Sequence, residues 1–233
     1  MVYGLEEHTD ETFFDGIKKL DASHNLIYNL DTNSFKIERF FSIKTKDFSN
    51  LSQEEAAKLL YNDIKDSINL RLRSDVKVGS CLSGGLDSST IATIAAKEYA
   101  KSSNSRFCAI HAKSVEAKTD ESLYAKLVAK EANLDLHITK PKLEDISKSL
   151  DEVIYTQEEP FGGPSIIMQY FVMRKAKEIG CTVMLDGQDG NETRFGYESY
   201  FGYDFASLIK RFRYIKELKR LNTFKISNLK MAI

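Results

Sequence analysis

The stretch Lys77-Val78-Gly79-Ser80-Cys81-Leu82-Ser83-Gly84-Gly85-Leu86-Asp87-Ser88-Ser89 decides the fold. It reads as a short apolar strand, Lys77 to Leu82, that runs through two adjacent glycines straight into a helix. Paired glycines let the backbone approach a ligand closely, and the serine hydroxyls gather beside the unpaired N–H groups of the helix start. Such a loop is a phosphate cradle. It is not the Walker pattern, because no Gly-Lys-Ser or Gly-Lys-Thr follows the glycines, and it is not Gly-x-Gly-x-x-Gly. The loop has no lysine of its own, so Asp87 beside phosphates calls for a cation, and Mg²⁺ suits one carboxylate plus phosphate oxygens. A plain capped turn between strand and helix would need neither the paired glycines nor three serines.

Working outward, short apolar strands alternate with helical stretches, the pattern of a parallel sheet covered on both faces. Strands are expected at Lys77 to Leu82, Phe107 to His111, Asp135 to Thr139 and Thr182 to Leu185. Helices are expected at Gln53 to Arg73, Ser88 to Lys101, Glu121 to Asn133, Leu143 to Thr156 and Ser165 to Ile179. The first opens with a Ser52/Glu55 capping box, and the last follows Gly162-Gly163-Pro164 with Ser165 as its cap. The fold class is therefore α/β, a doubly wound parallel sheet, in which ligands bind beyond the carboxyl ends of the strands. Before it, Asn25 to Phe41 has β-type runs around the turn signal Asp31-Thr32-Asn33, a hairpin.

Composition bounds the rest. The 233 residues are 42% hydrophobic and 29% charged, which suits one globular domain with flanking pieces. No run approaches a membrane span, and Met1 to Asp10 lacks a secretory pattern. Cys81, Cys108 and Cys181 lie far apart in apolar runs and read as reduced core thiols, so the expected location is cytoplasmic. The net charge of -1 is uneven, because residues 205–233 carry eight Lys or Arg against Glu217 alone. Since Lys210, Arg211, Arg213, Lys216 and Lys219 alternate with Leu208, Ile209, Phe212, Ile215 and Leu218, this is the solvated face of an amphipathic helix rather than a nucleic-acid contact.

The loop Ser83-Gly84-Gly85-Leu86-Asp87-Ser88 resembles the PP-loop of N-type ATP pyrophosphatases, which cleave ATP between the α and β phosphates. Arg71 to Val76, Glu158-Glu159-Pro160-Phe161-Gly162, and Leu185-Asp186-Gly187-Gln188 through Glu192 to Gly196-Tyr197 resemble the synthetase domain of glutamine-hydrolysing asparagine synthetases. Thr12 to Leu20 is similar to the last strands of that family's glutaminase domain. The resemblance implies a Rossmann-like sheet of the adenine nucleotide alpha hydrolase type. It divides the chain into a glutaminase remnant and connector at 1–48, an ATP-binding synthetase domain at 49–203, and a partial basic helical extension at 204–233. The chain then looks like a piece of a longer protein. The glutaminase nucleophile of the family is an N-terminal cysteine, and the three cysteines here all lie in the synthetase part.

By that resemblance Ser83, Gly84, Gly85, Asp87 and Ser88 hold the pyrophosphate and its Mg²⁺, and Cys81, Ile110, Asp186 and Gly187 form the adenine pocket. Asp87, Gln188 and Glu192 are the catalytic positions, and Asp87 and Asn191 the metal positions. Three positions in and beside this set depart from the family. Asn191 stands where a metal-binding Asp is usual and offers one neutral oxygen in place of a charge. Asp189 stands where glycine is common. Gln188 replaces a Glu in the best-known members and cannot act as a general base. Arg194 and Phe195 also depart, without a physical account. His111, at a strand end, is expected to be only hydrogen-bonded, and Glu159 is a candidate on the acceptor side.

The activity implied is an ATP-dependent, amide-forming ligation that adenylates a carboxylate, aspartate by the resemblance, releases AMP and pyrophosphate, and takes ammonia as acceptor. The partners are ATP, the carboxylate and a glutaminase or other ammonia source, with homo-oligomers fitting the exposed Tyr200, Phe201, Tyr203 and Phe205. A second reading is a nucleotide-binding or interaction fragment impaired by Asn191 and Asp189. A third, tRNA thiolation, lacks the Cys-x-x-Cys pair it commonly uses.

Overall fold

Short β-rich runs bounded by glycine and polar turns become the strands of a parallel sheet in the computed structural model, which describes residues 9–44, 50–194 and 196–210. The tail charges from Arg211 onward, the first eight residues and Phe195 lie outside the described residues, as do the side chains of Arg194, Phe205, Leu208, Ile209 and Lys210.

A hairpin comes first, β1 (His24–Asn29) paired antiparallel with β2 (Ser34–Arg39). Its turn is set by Asn29, whose side chain accepts the N–H groups of Asp31 and Thr32 at 2.9 and 3.0 Å, and by Asn33 in the left-handed region at φ 50°. The register aligns Leu26 with Ile37 and Tyr28 with Phe35, which gathers all four on one exposed face.

Helix α1 (Gln53–Arg71) starts at the capping box, with the Glu55 N–H donating to Ser52 Oγ and the Ser52 N–H donating to Glu55 Oε2. The alternating part then runs β3 (Val78–Cys81), α2 (Leu86–Tyr99), β4 (Cys108–Ala112), α3 (Ser122–Glu131), β5 (Asp135–Thr139), α4 (Leu143–Gln157), α5 (Ser165–Glu178) and β6 (Val183–Leu185). The short α6 (Gly190–Arg194) and α7 (Glu198–Lys210) follow. Helix α7 crosses residue 203, so helix begins before the expected basic extension does. The expected cap at Ser165 is corrected: Ser165 is the first helical residue of α5 and no side-chain cap is present. Pro164 already has helical angles, φ -71° and ψ -12°, and starts the turn without one.

The sheet order is β5-β4-β3-β6, all parallel. Chain order reverses direction at β3, which has β4 on one side and β6 on the other, so the switch point lies at its carboxyl end. Alternation along the strands divides the core. Val78, Leu82 and Ala109 face α1, α2 and α3 with Ile68, Ala95 and Ala125, while Cys108, Ile110 and Cys181 pack with Val172 and Ala176 of α5. Helices thus cover both faces, as a doubly wound sheet requires. On α2, the buried Glu98 accepts from Lys101 at 2.7 Å and reaches Lys65 of α1 at 3.8 Å, which links the first two helices.

Gly79 shows how tightly the α5 face is filled. A side chain there would meet Cys181 Sγ at 2.8 Å and the Cys108 carbonyl at 3.1 Å. Gly79→Ala is expected to destabilise the fold by about 1–3 kcal/mol through overpacking, read as a lower urea midpoint; an unchanged midpoint would show that the thiols make room.

Candidate active site

At the carboxyl end of β3 the chain turns through Ser83, Gly84 and Gly85 into α2. The turn is closed by its own serines: Ser83 Oγ and Ser88 Oγ are 2.8 Å apart, the Ser83 N–H donates to Ser88 Oγ at 3.2 Å, and the Gly85 N–H donates to Ser83 Oγ at 3.1 Å. Gly85 is the N-cap of α2 and makes no side-chain cap bond, so the positive end of the helix dipole meets the loop without a capping side chain. Ser89 Oγ is buried there without a partner.

Glycine is required at Gly84 for two reasons. Its φ is +99°, and a side chain would collide with Tyr124 Cβ at 2.7 Å and the Ala125 N–H nitrogen at 2.9 Å. The loop therefore lies against the first turns of α3.

The segment after β6 meets the loop from the other side. Gly187 abuts the start of α2, where a Cβ would come within 2.9 Å of the Ser88 nitrogen, and Gly190 abuts the Asp87 carboxylate, where a Cβ would come within 2.5 to 2.8 Å of its three terminal atoms. Asp186 accepts from the Gly187 N–H at 2.6 Å. Asp87, Asp186 and Gly187 are thus brought together with Ser83, Gly84, Gly85 and Ser88.

Cys81 ends β3, and burial, followed by the nearby Asp186 carboxylate, pushes its thiol up from an ordinary 9.0 to about 12. Burial does the same to Cys108, to about 12. A thiol kept neutral is a poor nucleophile. Ile110 is fully buried between its neighbours, and its carbonyl accepts the Leu82 N–H at 2.9 Å.

The remaining expected residues lie further out. Gln188 is exposed. Glu192 is exposed and accepts from the Tyr197 hydroxyl at 2.8 Å. Asn191 is adjacent in sequence to Gly190, yet its amide lies against Gly196, where any added side chain would strike it. The Asn191 backbone carbonyl accepts the Gly196 N–H at 2.8 Å. Asp189 sits at φ +64°, the left-handed region, which accounts for glycine being suited to that position. Its carbonyl accepts from Thr193 Oγ1 at 2.8 Å. Glu159 is exposed and follows Glu158, itself at φ +64°.

Four members of this region escaped the sequence reading. Tyr124 supports Gly84, Gly190 supports Asp87, and Ser122 with Asp120 joins His111. Only the Asp120-x-Ser122 spacing before a helix carried a local signal, that of a helix start. His111 is hydrogen-bonded at both ring nitrogens, as expected of a buried strand-end histidine.

As for Mg²⁺, no group of three or more His, Cys, Asp or Glu able to hold a metal occurs among the described residues. The donor set still fits a phosphate-bound Mg²⁺, which needs only one or two carboxylates from the protein. Asp87, at the mouth of the loop, would supply one. Two cavities of about 430 and 330 Å³ lie at the opposite, amino ends of the strands, around Arg106 and Ser105. The serine- and glycine-rich loop lies instead at the carboxyl end of β3, the end at which ligands bind in sheets of this kind.

This geometry defines a class, a doubly wound α/β domain with a glycine-rich anion cradle at its switch point. The family described as asparagine synthase matches residues 59–229, and the chain belongs to that family. It is 34% identical over 204 residues to a putative glutamine-hydrolyzing asparagine synthetase of Methanocaldococcus jannaschii, covering 83% of this chain and 37% of that protein. It is 30% identical over 208 residues to a glutamine-hydrolyzing asparagine synthetase of Bacillus subtilis, covering 82% and 27%. The chain thus spans little more than a third of the length of these relatives at most. A solved U34-tRNA thiolase of Methanococcus maripaludis overlaps 59% of this chain and 47% of its own at 22% identity and TM-score 0.45. A likeness at that level bears on no functional assignment. No helix among the described residues is long and apolar enough to cross a membrane.

Two outcomes follow from the site itself. Asp189→Gly is expected to raise the unfolding free energy by up to about 1 kcal/mol, by relieving a side chain at positive φ, while a lower value would show that the Asp189 side chain has a structural role. Cys81 keeps its proton in the fold to about pH 12 while the unfolded thiol loses it near 9.0. Its contribution to stability is complete below pH 9.0 and is lost as pH rises through 12. Alkylation of Cys81 in the native protein should accordingly stay slow to the alkaline side of pH 9.0, and fast labelling at neutral pH would contradict the burial.

Proposed function

We propose that this chain is the ATP-binding module of an amide-forming ligase of the asparagine synthetase type, one that adenylates a carboxylate, aspartate by family, with release of AMP and pyrophosphate and with ammonia as acceptor. The observation that carries the reading is the serine-closed loop at the switch point, with the Asp87 carboxylate held against Gly190 at its mouth. The amides at the start of α2 would bind the phosphate oxygens that separate as pyrophosphate. Donors fixed in advance stabilise the charge that develops on that leaving group, where one such contact is worth about 10²–10³ in rate. Asp87 would hold Mg²⁺, which when bound neutralises phosphate charge. Asp186, Gly187 and Cys81, gathered beside the loop, would border the adenine, and Ile110 would support that wall from within. Gln188 and Glu192 sit on the exposed side, where the acceptor would arrive. Gln188 can orient ammonia by hydrogen bonding but cannot take its proton.

Ammonia would come from a glutaminase domain or from solution, because the cysteines of this chain are structural thiols of the sheet. The apolar hairpin face and the exposed Phe201 and Tyr203 fit a surface that associates with further protein, a second copy included.

A second reading, a module that binds nucleotide with weakened turnover, is favoured by the Asn191 amide, which lies against Gly196 and brings no charge to the metal. Pyrophosphate release from ATP and Mg²⁺, with and without aspartate and ammonium, tests both. Aspartate-dependent release that Asp87→Ala lowers by about 10² or more supports the ligase; equal release from the variant would remove Asp87 from the metal. If the site is weakened at Asn191, then Asn191→Asp should tighten Mg²⁺-dependent ATP binding by about tenfold, roughly 1.4 kcal/mol, and no gain would dismiss that reading.

A further inference from the structure

All three cysteines lie on the α5 face of the sheet, and two of them meet a methionine around Gly79. Gly79 pairs with Cys108 of β4 on one side and with Met184 of β6 on the other, so both side chains flank it on the same face. The space that a side chain at Gly79 would need is taken by Cys181: its Sγ lies 2.8 Å from the Cβ position, with Cys108 Cβ at 3.3 Å. Cys181 Sγ is 3.6 Å from Met184 Sδ, and the Cys108 and Cys181 thiols are hydrogen-bond partners. The backbone fixes the middle sulfur. After Gly180, at φ +69°, the Cys181 N–H donates to the Ala176 carbonyl at 2.8 Å.

Cys108 and Cys181 are free thiols, 1% and 4% exposed. Burial keeps both neutral, and the Lys77 ammonium opposes that effect at each. The Lys77 and Val183 carbonyls accept from Cys181 Sγ at 3.6 and 3.5 Å. A bare thiolate beside two carbonyl oxygens is disfavoured, whereas a sulfur that shares its charge with a bound cation is not. The setting therefore suits a metal ligand better than a nucleophile. Two thiols and a thioether select a soft ion. Zn²⁺ in a structural site takes four ligands, and no group of three or more His, Cys, Asp or Glu able to hold a metal occurs among the described residues. A monovalent ion content with two or three sulfurs fits the set. Charge agrees as well, because two thiolates and one cuprous ion leave a single negative charge, which Lys77 faces.

A way in exists. The cavity of about 330 Å³ at the amino ends of the strands is lined by Cys108 and Lys77. We propose that Cys108, Cys181 and Met184 form a binding site for one cuprous ion, reached through this cavity, which fastens β4 to β6 across Gly79. Each ligating thiol releases its proton to solvent as its sulfur binds. Copper stays cuprous throughout, so no oxidant or reductant takes part. The site is separate from the phosphate loop and does not rest on the ATP-binding reading.

The test titrates the reduced full chain, under nitrogen, into Cu(I) held by the coloured chelator bicinchoninate. One ion per chain should leave the chelator, with about two protons released per ion near neutral pH, and the copper X-ray absorption spectrum should show sulfur neighbours only. Cys108→Ser and Cys181→Ser should each raise the Cu(I) Kd by at least about 100-fold, since even an outer-shell partner of a metal is worth roughly 10- to 100-fold. Met184→Leu should raise it by about tenfold, and Cys81→Ser should leave it close to that of the parent. The proton count and the spectrum are read on the parent chain, so they decide even where a serine variant fails to fold. A parent chain that takes no Cu(I) from the chelator, releases about one proton, or shows nitrogen or oxygen neighbours overturns the site. A folded Cys108→Ser or Cys181→Ser that binds as the parent does overturns it too, as does a loss confined to Cys81→Ser. An unchanged Kd in Met184→Leu overturns the thioether as third ligand.

Discussion

Three chain segments converge at the carboxyl end of β3, and they fit only because glycine stands at each close approach. At Gly84 the loop meets Tyr124 and Ala125, at Gly187 the turn after β6 meets Ser88, and at Gly190 the backbone meets the Asp87 carboxylate. Any Cβ at these points would come within 3.0 Å of a neighbour. Backbone packed on backbone leaves little room for the loop to move, so its amides keep their direction in the absence of a ligand. Preorganisation of that kind is what an anion site needs, because the cost of ordering the loop is met during folding rather than at binding.

The sheet supplies the rest. Because β3 has neighbours on both sides, its end lies at the crevice between oppositely directed crossovers. Burial also sorts the chemistry. Thiols at Cys81, Cys108 and Cys181 face α5 or end the strands and remain neutral, while Asp87, Asp186, Gln188 and Glu192 reach the open edge. Asn191 is the exception on that edge. Its backbone carbonyl accepts the Gly196 N–H, its side chain lies beside Gly196, and the Tyr197 hydroxyl donates to Glu192, so α6 and the following turn are held by their own polar contacts.

Local features were legible in the sequence wherever one segment decides its own conformation. The Ser52/Glu55 box formed as expected, the hairpin closed at Asp31-Thr32-Asn33, and the four strands lie within a residue or so of their expected bounds. The Ser165 cap failed because Pro164 had already committed the backbone to helical angles. The short α6 was missed, since five residues carry too little periodicity to announce a helix. Asp189 could be marked as a departure from glycine, but its φ of +64° needed the fold.

The sequence by itself determined the alternation of strands and helices, the Ser83 to Ser88 cradle and the residues that could serve it, because periodicity, paired glycines and helix-start chemistry act over a few neighbouring residues. Tertiary structure alone decided which side chains are brought together there. Whether Asp87 meets Gly190, whether the Asn191 side chain lies against Gly196, and which groups His111 bonds depend on packing that no single segment specifies. Such contacts are set by packing and by hydrogen-bond counting in a buried space, where each polar atom must find a partner that no local pattern names.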